Sequence, residues 1–216
     1  PVTSELTEQI AVQLLSREQM EAFRRQRDYD LMVASSSGRY RVNLSYNDQS
    51  VGLVLRMLPE DAPTLASLQL PPILQELSHR TKGLILITGS TSQGKTTTMS
   101  AILRQINENQ RRHIVTIEDP IETVHRNRRS IVRQREVGRD TDSFYTGLRA
   151  ALRQDPDVIA IGEMRDYETI KIALTAAETG VLVLSTLHII SIDKLLERLV
   201  SYAPAEDQGH LRFLFA

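Results

Sequence analysis

Residues 89–96 carry a pattern that could hold a triphosphate. The segment reads Gly-Ser-Thr-Ser-Gln-Gly-Lys-Thr, which fits the P-loop pattern of glycine, any four residues, glycine, lysine and threonine. A β-branched apolar run ends at Gly89, and a helical pattern follows from Met99 to Ile106. Glycines let successive backbone N–H groups turn inward as an anion-binding nest, and the N-terminus of the next helix adds positive charge. In this context the pattern predicts a phosphate site, against the alternative of a chance glycine-rich turn.

The chemistry of the loop indicates ATP and Mg²⁺ as cofactors. Lys95 would reach the β- and γ-phosphates, and Thr96 would place its hydroxyl on Mg²⁺. The predicted nucleotide-binding residues are Gly89, Ser90, Thr91, Ser92, Gln93, Gly94, Lys95, Thr96 and Thr97.

Three later apolar runs end in side chains that could act on a phosphate, namely Glu118, Glu163 and His188. The carboxyl ends of parallel strands meet at one edge of a sheet, so we expect these side chains to converge on the P-loop. Glu163 would activate the attacking water, and Glu118 would support Mg²⁺ or that water. His188 would sense the γ-phosphate, although a lone histidine is more often structural. Glu163 could instead cap the next helix, but Glu is a poor N-cap and Asp166 is better placed.

The elements that must position these residues alternate as strand and helix after residue 73, which predicts an α/β domain with a parallel sheet. Before it, residues 1–58 read as two helices and a small antiparallel sheet, and residues 59–72 contain four prolines and read as a linker. The chain of 216 residues has no cysteine, so disulfides and thiolate metal sites are excluded. Its formal net charge is −1, which gives no overall attraction to polyanions.

The strongest local charge lies in residues 125–139, which contain six arginines. Few aromatic residues are interleaved with them, so stacking on single-stranded nucleic acid is poorly supported. We interpret the stretch as a solvated or subunit-facing surface and expect no nucleic-acid partner. A nucleic-acid motor stays an alternative that rests on this stretch alone.

Four motifs together resemble the motor ATPases of type II secretion and type IV pili. They correspond to the family's Walker A motif, aspartate box, Walker B motif and histidine box, at residues 89–96, 116–122, 157–165 and 185–188. Within the family, residues 134–137, 162–166 and 174–180 look most like the PilT-type pilus-retraction motors. The motifs cover most of residues 83–204, and their combination is specific.

The resemblance implies the fold class α/β, with a RecA-like P-loop NTPase domain preceded by part of a small α+β, PAS-like domain. The predicted divisions are 1–58 for the partial PAS-like domain, 59–72 for the linker and 73–216 for the ATPase domain. Relative to the family, the chain is expected to be truncated at both ends. Two arginines of the first domain reach the nucleotide in related secretion ATPases, and Arg41 and Arg56 match that pattern.

The function implied is that of a hexameric ATP-hydrolysing motor that powers pilus retraction and twitching motility. Its partner would be an inner-membrane pilus platform protein. The motor would be cytoplasmic, at the inner face of that membrane, and peripheral to it only through partners. The alternatives are a pilus-assembly or type II secretion motor with the same chemistry, and a non-hydrolysing ring subunit.

The loop departs from the family's usual Gly-Pro-Thr-Gly-Ser-Gly-Lys at three positions, Ser90, Ser92 and Gln93. A non-glycine residue at 92 fits if its φ is negative. If that position requires a positive φ, we expect strain of about 1–3 kcal/mol that weakens nucleotide binding. The usual metal-associated aspartate of Walker B is Gly162 here, and the histidine that often opens the histidine box is Val181.

Overall fold

A computed structural model describes residues 3–189 and 191–214. The chain divides into two compact units, residues 1–60 and residues 61–216. The predicted domain ends at residues 1 and 216 lie outside the described residues. That the first unit is part of a PAS-like domain stays a prediction.

The first unit packs two helices on a three-stranded antiparallel sheet of order β1-β2-β3. A capping box explains the start of the second helix, because Ser16 Oγ accepts from the N–H of Gln19 while Gln19 Oε1 accepts from the N–H of Ser16. Phe23, Val42 and Leu44 are fully buried in its core. The elements are α1 (Ser4–Leu14), α2 (Arg17–Gln26), β1 (Asp28–Ser35), β2 (Gly38–Asn47) and β3 (Ser50–Leu58).

The second unit is a five-stranded parallel sheet of order β4-β8-β7-β5-β6 with helices on both faces. The predicted α/β class is therefore confirmed. The strands are β4 (Gly83–Thr88), β5 (His113–Glu118), β6 (Ile131–Glu136), β7 (Val158–Ile161) and β8 (Leu182–Leu187). The helices are α3 (Ile73–Ser78), α4 (Lys95–Asn109), α5 (Phe144–Ala151), α6 (Tyr167–Glu178), α7 (Leu195–Ser201) and α8 (Gln208–Leu214).

Alternate residues of the central strands feed two separate cores. Ile159 and Ile161 of β7 pack among α5, α6 and α7, whereas Val158 and Ala160 pack against α4. Burial of both faces explains why these strands are continuous apolar runs in the sequence. Asp166 is the N-cap residue of α6, as predicted, and its Oδ1 accepts from the backbone N–H of Thr169 at 2.8 Å.

Two segments acquire structure that the sequence did not indicate. Most of the predicted proline-rich linker belongs to the second unit, where Ala62 is buried and its carbonyl accepts from the guanidinium of Arg104. The basic stretch contains the edge strand β6, which pairs in parallel with β5. That strand places Val132 in the core and leaves Arg133 exposed.

No helix among the described residues is long and apolar enough to cross a membrane.

Candidate functional site

The P-loop lies between the end of β4 and the first turn of α4. Gly89 and Gly94 have φ of +151° and +78°, and Gly94 is the N-cap residue of α4. Ser92 also has a positive φ, +65°. Residue 92 therefore has the positive φ for which strain was expected. Its serine occupies a backbone conformation that favours glycine.

A side chain of the loop itself holds this conformation. Gln93 Oε1 accepts from the N–H of Ser90 at 2.9 Å. A Cβ atom at residue 89 would lie 2.8 Å from that same oxygen and would displace the Gln93 side chain, and the φ of +151° itself favours glycine at this position. Six of the predicted loop residues are exposed, namely Thr91, Ser92, Gln93, Gly94, Thr96 and Thr97.

Lys95 and His188 meet beside the loop. Lys95 is buried, and its ammonium donates to the carbonyl of Ser90 at 2.8 Å. Its Nζ also lies 3.5 Å from Nδ1 of His188. An ammonium group can only donate, so Nδ1 must be the acceptor and the imidazole proton of the neutral ring resides on Nε2.

The same imidazole faces Glu163 through its other nitrogen. His188 Nε2 lies 3.5 Å from Glu163 Oε2, while Glu163 Oε1 forms an ion pair with Arg165. The Nε2–Oε2 separation is within ion-pair range, but its geometry is not that of a hydrogen bond. Glu163 Oε2 is thus buried and accepts no hydrogen bond from the described residues. That oxygen retains the capacity to accept a proton from a water molecule.

Hydroxyl groups of β8 fix the turn that carries Glu163. Thr186 Oγ1 donates to the carbonyl of Gly162 at 2.6 Å, and Ser185 Oγ donates to that of Ile161 at 3.0 Å. Both hydroxyl-bearing residues are buried, so the hydrogen bonds form in a low-dielectric interior where they are strong. The backbone that presents Glu163 is therefore anchored to the strand that delivers His188.

Glu118 ends β5 on the other side of Glu163. Thr116 Oγ1 donates to Glu118 Oε1 at 2.6 Å, and Gln134 Nε2 donates to the same oxygen at 2.9 Å. Burial raises the pKa of the Glu118 carboxyl, and these two hydrogen bonds oppose that rise. The site therefore contains a carboxylate that is desolvated yet still supplied with donors on one oxygen.

A small cavity joins Glu118 to the start of α4. Its wall includes Thr96, Ser100, Glu118, Thr123 and His125. This donor set fits Mg²⁺, which prefers oxygen ligands and is usually held by one or two protein groups together with nucleotide phosphates and water. The described residues contain no cluster of three or more His, Cys, Asp or Glu side chains that could hold a metal by themselves.

His125 is a member of this wall that the sequence reasoning did not single out. The Nε2 atom of its ring lies 3.1 Å from Ser100 Oγ, and its backbone N–H donates to Gln134 Oε1 at 2.7 Å. Burial, reinforced by the charge of Arg104, lowers the pKa of His125 to about 4. The imidazole is therefore neutral at physiological pH, beside the P-loop helix.

The two predicted arginines lie in the first unit, on neighbouring strands. Arg41 and Arg56 occupy directly paired positions of β2 and β3. Arg41 has a carboxylate 3.7 Å away, on Asp30, and Arg56 is exposed. Like charges directly opposite each other destabilise an antiparallel pair, so the two cations disfavour the β2–β3 pairing. Their action on a nucleotide stays a prediction.

Strand order brings the other predicted residues of the second unit together. The strands β4, β8, β7 and β5 are consecutive in the sheet and deliver the P-loop, His188, Glu163 and Glu118 in that order. All four are parallel, so their carboxyl ends share one edge. Sequence reasoning assigned no role to Thr116, Ser100, His125 and Gln134. Thr116 and Gln134 lie within stretches that resemble the family, but a motif does not indicate which groups their side chains contact.

Residues 10–208 match the family described as type II/IV secretion system protein. The chain belongs to that family.

Two individual members of the type II/IV secretion system protein family are similar to this chain. The type IV pilus retraction ATPase PilT of Pseudomonas aeruginosa is 46% identical over 178 residues, 82% of this chain and 52% of that protein. The type IV pilus ATPase PilU of the same organism is 40% identical over 212 residues, 98% of this chain and 56% of that protein. The chain thus spans about half the length of the curated relatives that it matches.

A solved structure has the same fold. The crystal structure of the pilus retraction motor PilT with bound ADP superposes with a TM-score of 0.91 at 44% sequence identity. The match covers 96% of this chain and 61% of that one. The fold of this chain is therefore that of the part of the PilT structure that it matches.

Proposed function

We propose that the chain is an ATPase and the core of a motor that retracts type IV pili. The observation that carries this proposal is the row of side chains Lys95, His188 and Glu163, each close to the next, beside the P-loop. The row ends at Glu163 Oε2, a buried oxygen that accepts no hydrogen bond from the described residues. The family membership and the relatives named for pilus retraction support it.

Hydrolysis would proceed by attack of water on the γ-phosphorus, with cleavage of its bond to the β–γ bridging oxygen. Glu163 Oε2 accepts the proton of that water, and Lys95 exchanges the Ser90 carbonyl for the phosphates. The loop's backbone N–H groups hold the β-phosphate. Mg²⁺, bound beside Thr96 and Glu118, would neutralise charge on the β- and γ-oxygens.

His188 would report the state of the γ-phosphate. In the structure its Nδ1 accepts from Lys95 and its Nε2 faces Glu163. When Lys95 turns to a phosphate, Nδ1 loses its donor and the ring becomes free to reorient. Presence or loss of the γ-phosphate is thereby coupled to β8 and to the helices that follow it.

The wider assembly completes the proposal. The subunits form a ring, which is expected to be hexameric, and Arg41 and Arg56 of one subunit complete the nucleotide site of its neighbour. The ring works in the cytoplasm against an inner-membrane platform protein. It is peripheral to that membrane only through its partners, and no nucleic acid takes part.

Two variants of the second unit test the chemistry. Lys95→Ala should lose nucleotide binding, because it removes the only side chain placed to neutralise the phosphates from within the loop. Glu163→Gln should bind ATP but release phosphate at least about 100-fold more slowly, since the amide cannot take the proton. Nucleotide titration and phosphate release measure the two steps separately. A Glu163→Gln variant that keeps most of its activity would show that Glu163 is not the base.

Two features of the loop favour a second candidate, a ring subunit that binds nucleotide without hydrolysing it. Ser92 has a positive φ, and Gln93 ties the loop to its own backbone. A wild-type chain that binds ATP and forms rings, yet releases no phosphate, would establish this alternative.

Retraction can be separated from assembly or secretion in cells. Residues 83–204 would replace the matching segment of Pseudomonas aeruginosa PilT in a strain that lacks PilT. Restored twitching supports a retraction core. A chimaera that hydrolyses ATP in vitro but restores no twitching favours the other outputs.

A further inference from the structure

Gln134 is half-buried and connects the polar groups behind Glu118. It stands opposite Thr116 in the register of β5 and β6. Its Nε2 donates both to Glu118 Oε1 and to the carbonyl of Thr123, each at 2.9 Å. Its Oε1 accepts from the N–H of His125 at 2.7 Å.

These partners allow one orientation of the Gln134 amide. The Thr123 carbonyl can only accept, and the His125 N–H can only donate. A flipped amide would place its oxygen beside two acceptors and its nitrogen beside a donor, leaving partly buried groups without partners. The Nε2 atom is therefore committed to the Glu118 side, and the main chain sets its direction.

The consequence for Glu118 is an asymmetric carboxylate. Thr116 and Gln134 both donate to Oε1, whereas Oε2 accepts no hydrogen bond from any residue that the structure describes. Oε2 is thus the acceptor left for the cavity that Glu118 shares with Thr96. Without Gln134, the carboxylate loses the donor that comes from the neighbouring strand β6 and retains the Thr116 hydroxyl of its own strand β5.

We infer that Gln134 is a positioning residue that turns Glu118 Oε2 toward the Mg²⁺ site beside Thr96. This inference rests on the proposed function, because it assigns a role at the same nucleotide site. Outer partners of metal ligands fix ligand direction, and their removal typically lowers metal affinity about 10- to 100-fold.

A purely structural role predicts a different result. Gln134 also braces residues 123 and 125, so its loss could simply loosen that segment. Loosening would lower stability and weaken nucleotide binding whether or not metal is present. Positioning of Glu118 would weaken only the binding that depends on Mg²⁺.

The experiment compares ADP binding in EDTA with Mg²⁺ titrations of the ADP complex, using a fluorescent ADP. Gln134→Ala should bind ADP in EDTA as the wild type does, and its Mg²⁺ midpoint should rise about 10-fold or more. Thr116→Val removes the other donor to Oε1 and should shift the midpoint in the same direction. Asn127→Ala is the matched control, because the Asn127 amide braces the same segment by accepting from the N–H of Val132 at 2.9 Å.

The outcomes are distinct. A wild-type chain that binds no nucleotide overturns the proposed function and this inference with it. Wild-type Mg²⁺ dependence that survives unchanged in Gln134→Ala and Thr116→Val overturns the inference alone. If Gln134→Ala weakens ADP binding in EDTA, the Mg²⁺ midpoint of Thr116→Val distinguishes positioning from bracing. A raised midpoint supports positioning of Glu118, and an unchanged midpoint overturns it. An equal midpoint shift in Asn127→Ala shows that bracing, not positioning, is the role.

Discussion

Ser92 is the residue at which the loop stores strain. Its φ of +65° costs a non-glycine residue about 1–3 kcal/mol. We expect Ser92→Gly to raise the free energy of unfolding by about 1 kcal/mol, the relief of strain less the added freedom of glycine in the unfolded chain. Chemical denaturation of the nucleotide-free protein measures the change.

Ser90 supplies the matched control, since it is the same residue type in the same loop without a positive φ. Ser90→Gly should lower the free energy of unfolding by about 0.5–1 kcal/mol, because only the entropic cost of glycine remains. Equal effects of the two substitutions would show that residue 92 is not strained. A gain in phosphate release by Ser92→Gly would argue against the non-hydrolysing alternative.

His125 should make stability depend on pH. Its pKa is about 4 in the folded chain and about 6.5 when unfolded, so the unfolded chain binds more protons between those values. The contribution of neutral His125 to the free energy of unfolding is complete above about pH 6.5. It falls by at most about 3 kcal/mol as pH falls toward 4. The measurement is the free energy of unfolding of the wild type and of His125→Gln from pH 4 to 7.

The difference between these two proteins is the quantity to read. Burial raises the pKa of Glu118, so its contribution to the free energy of unfolding has the opposite sign. That contribution is lost as pH rises through the pKa of Glu118 in the folded chain. The Glu118 contribution is common to both proteins and cancels. A difference that stays constant between pH 4 and 7 would contradict the burial of a neutral His125.

Elements determine which charges can act together. The β2–β3 pair holds Arg41 and Arg56 at directly paired positions, where their repulsion disfavours the sheet. We expect Arg56→Ala to leave the stability of the first unit unchanged or slightly increased, and to lower phosphate release by roughly 10³-fold. Thermal unfolding and phosphate release on the same samples test the pair of effects.

Arg24 is a suitable control, because it is an exposed arginine in the last turn of α2. Arg24→Ala should leave phosphate release unchanged. Full activity in Arg56→Ala would remove that arginine from the catalytic site. A loss of both stability and activity would instead indicate a structural role.

At the scale of the whole molecule, the proposal requires neighbouring subunits to complete each site. Lys95→Ala and Arg56→Ala, each inactive by itself, should regain turnover when mixed before assembly. Random mixing gives roughly one interface in four an intact P-loop facing an intact arginine. Phosphate release across mixing ratios, with mass measured on the same samples, follows the recovery.

The control mixes Lys95→Ala with Glu163→Gln. Both residues lie in the second unit of one subunit, so no mixed interface has an intact site and no recovery is expected. Absence of recovery in the Lys95→Ala and Arg56→Ala mixture, in a sample shown to form rings, would contradict a nucleotide site shared between subunits.

The sequence by itself determined the class of fold and predicted which side chains would meet at one edge of the sheet. The P-loop spacing, the strand ends at Glu118, Glu163 and His188, and the strand–helix alternation are local signals, because each depends on residue order along the chain. Parallel strands then bring such ends to one edge whatever the details of packing.

Tertiary structure alone decided how those residues are held. Whether Ser92 takes a positive φ depends on how β4 and α4 fix the ends of the loop, and sequence patterns left both signs open. The donors to Glu118 come from Thr116 on its own strand and from Gln134 on the next strand, and β6 was hidden within a run of arginines. Hydrogen bonds between residues distant in sequence leave no periodic signal, so only the folded sheet reveals which polar side chains share an acceptor.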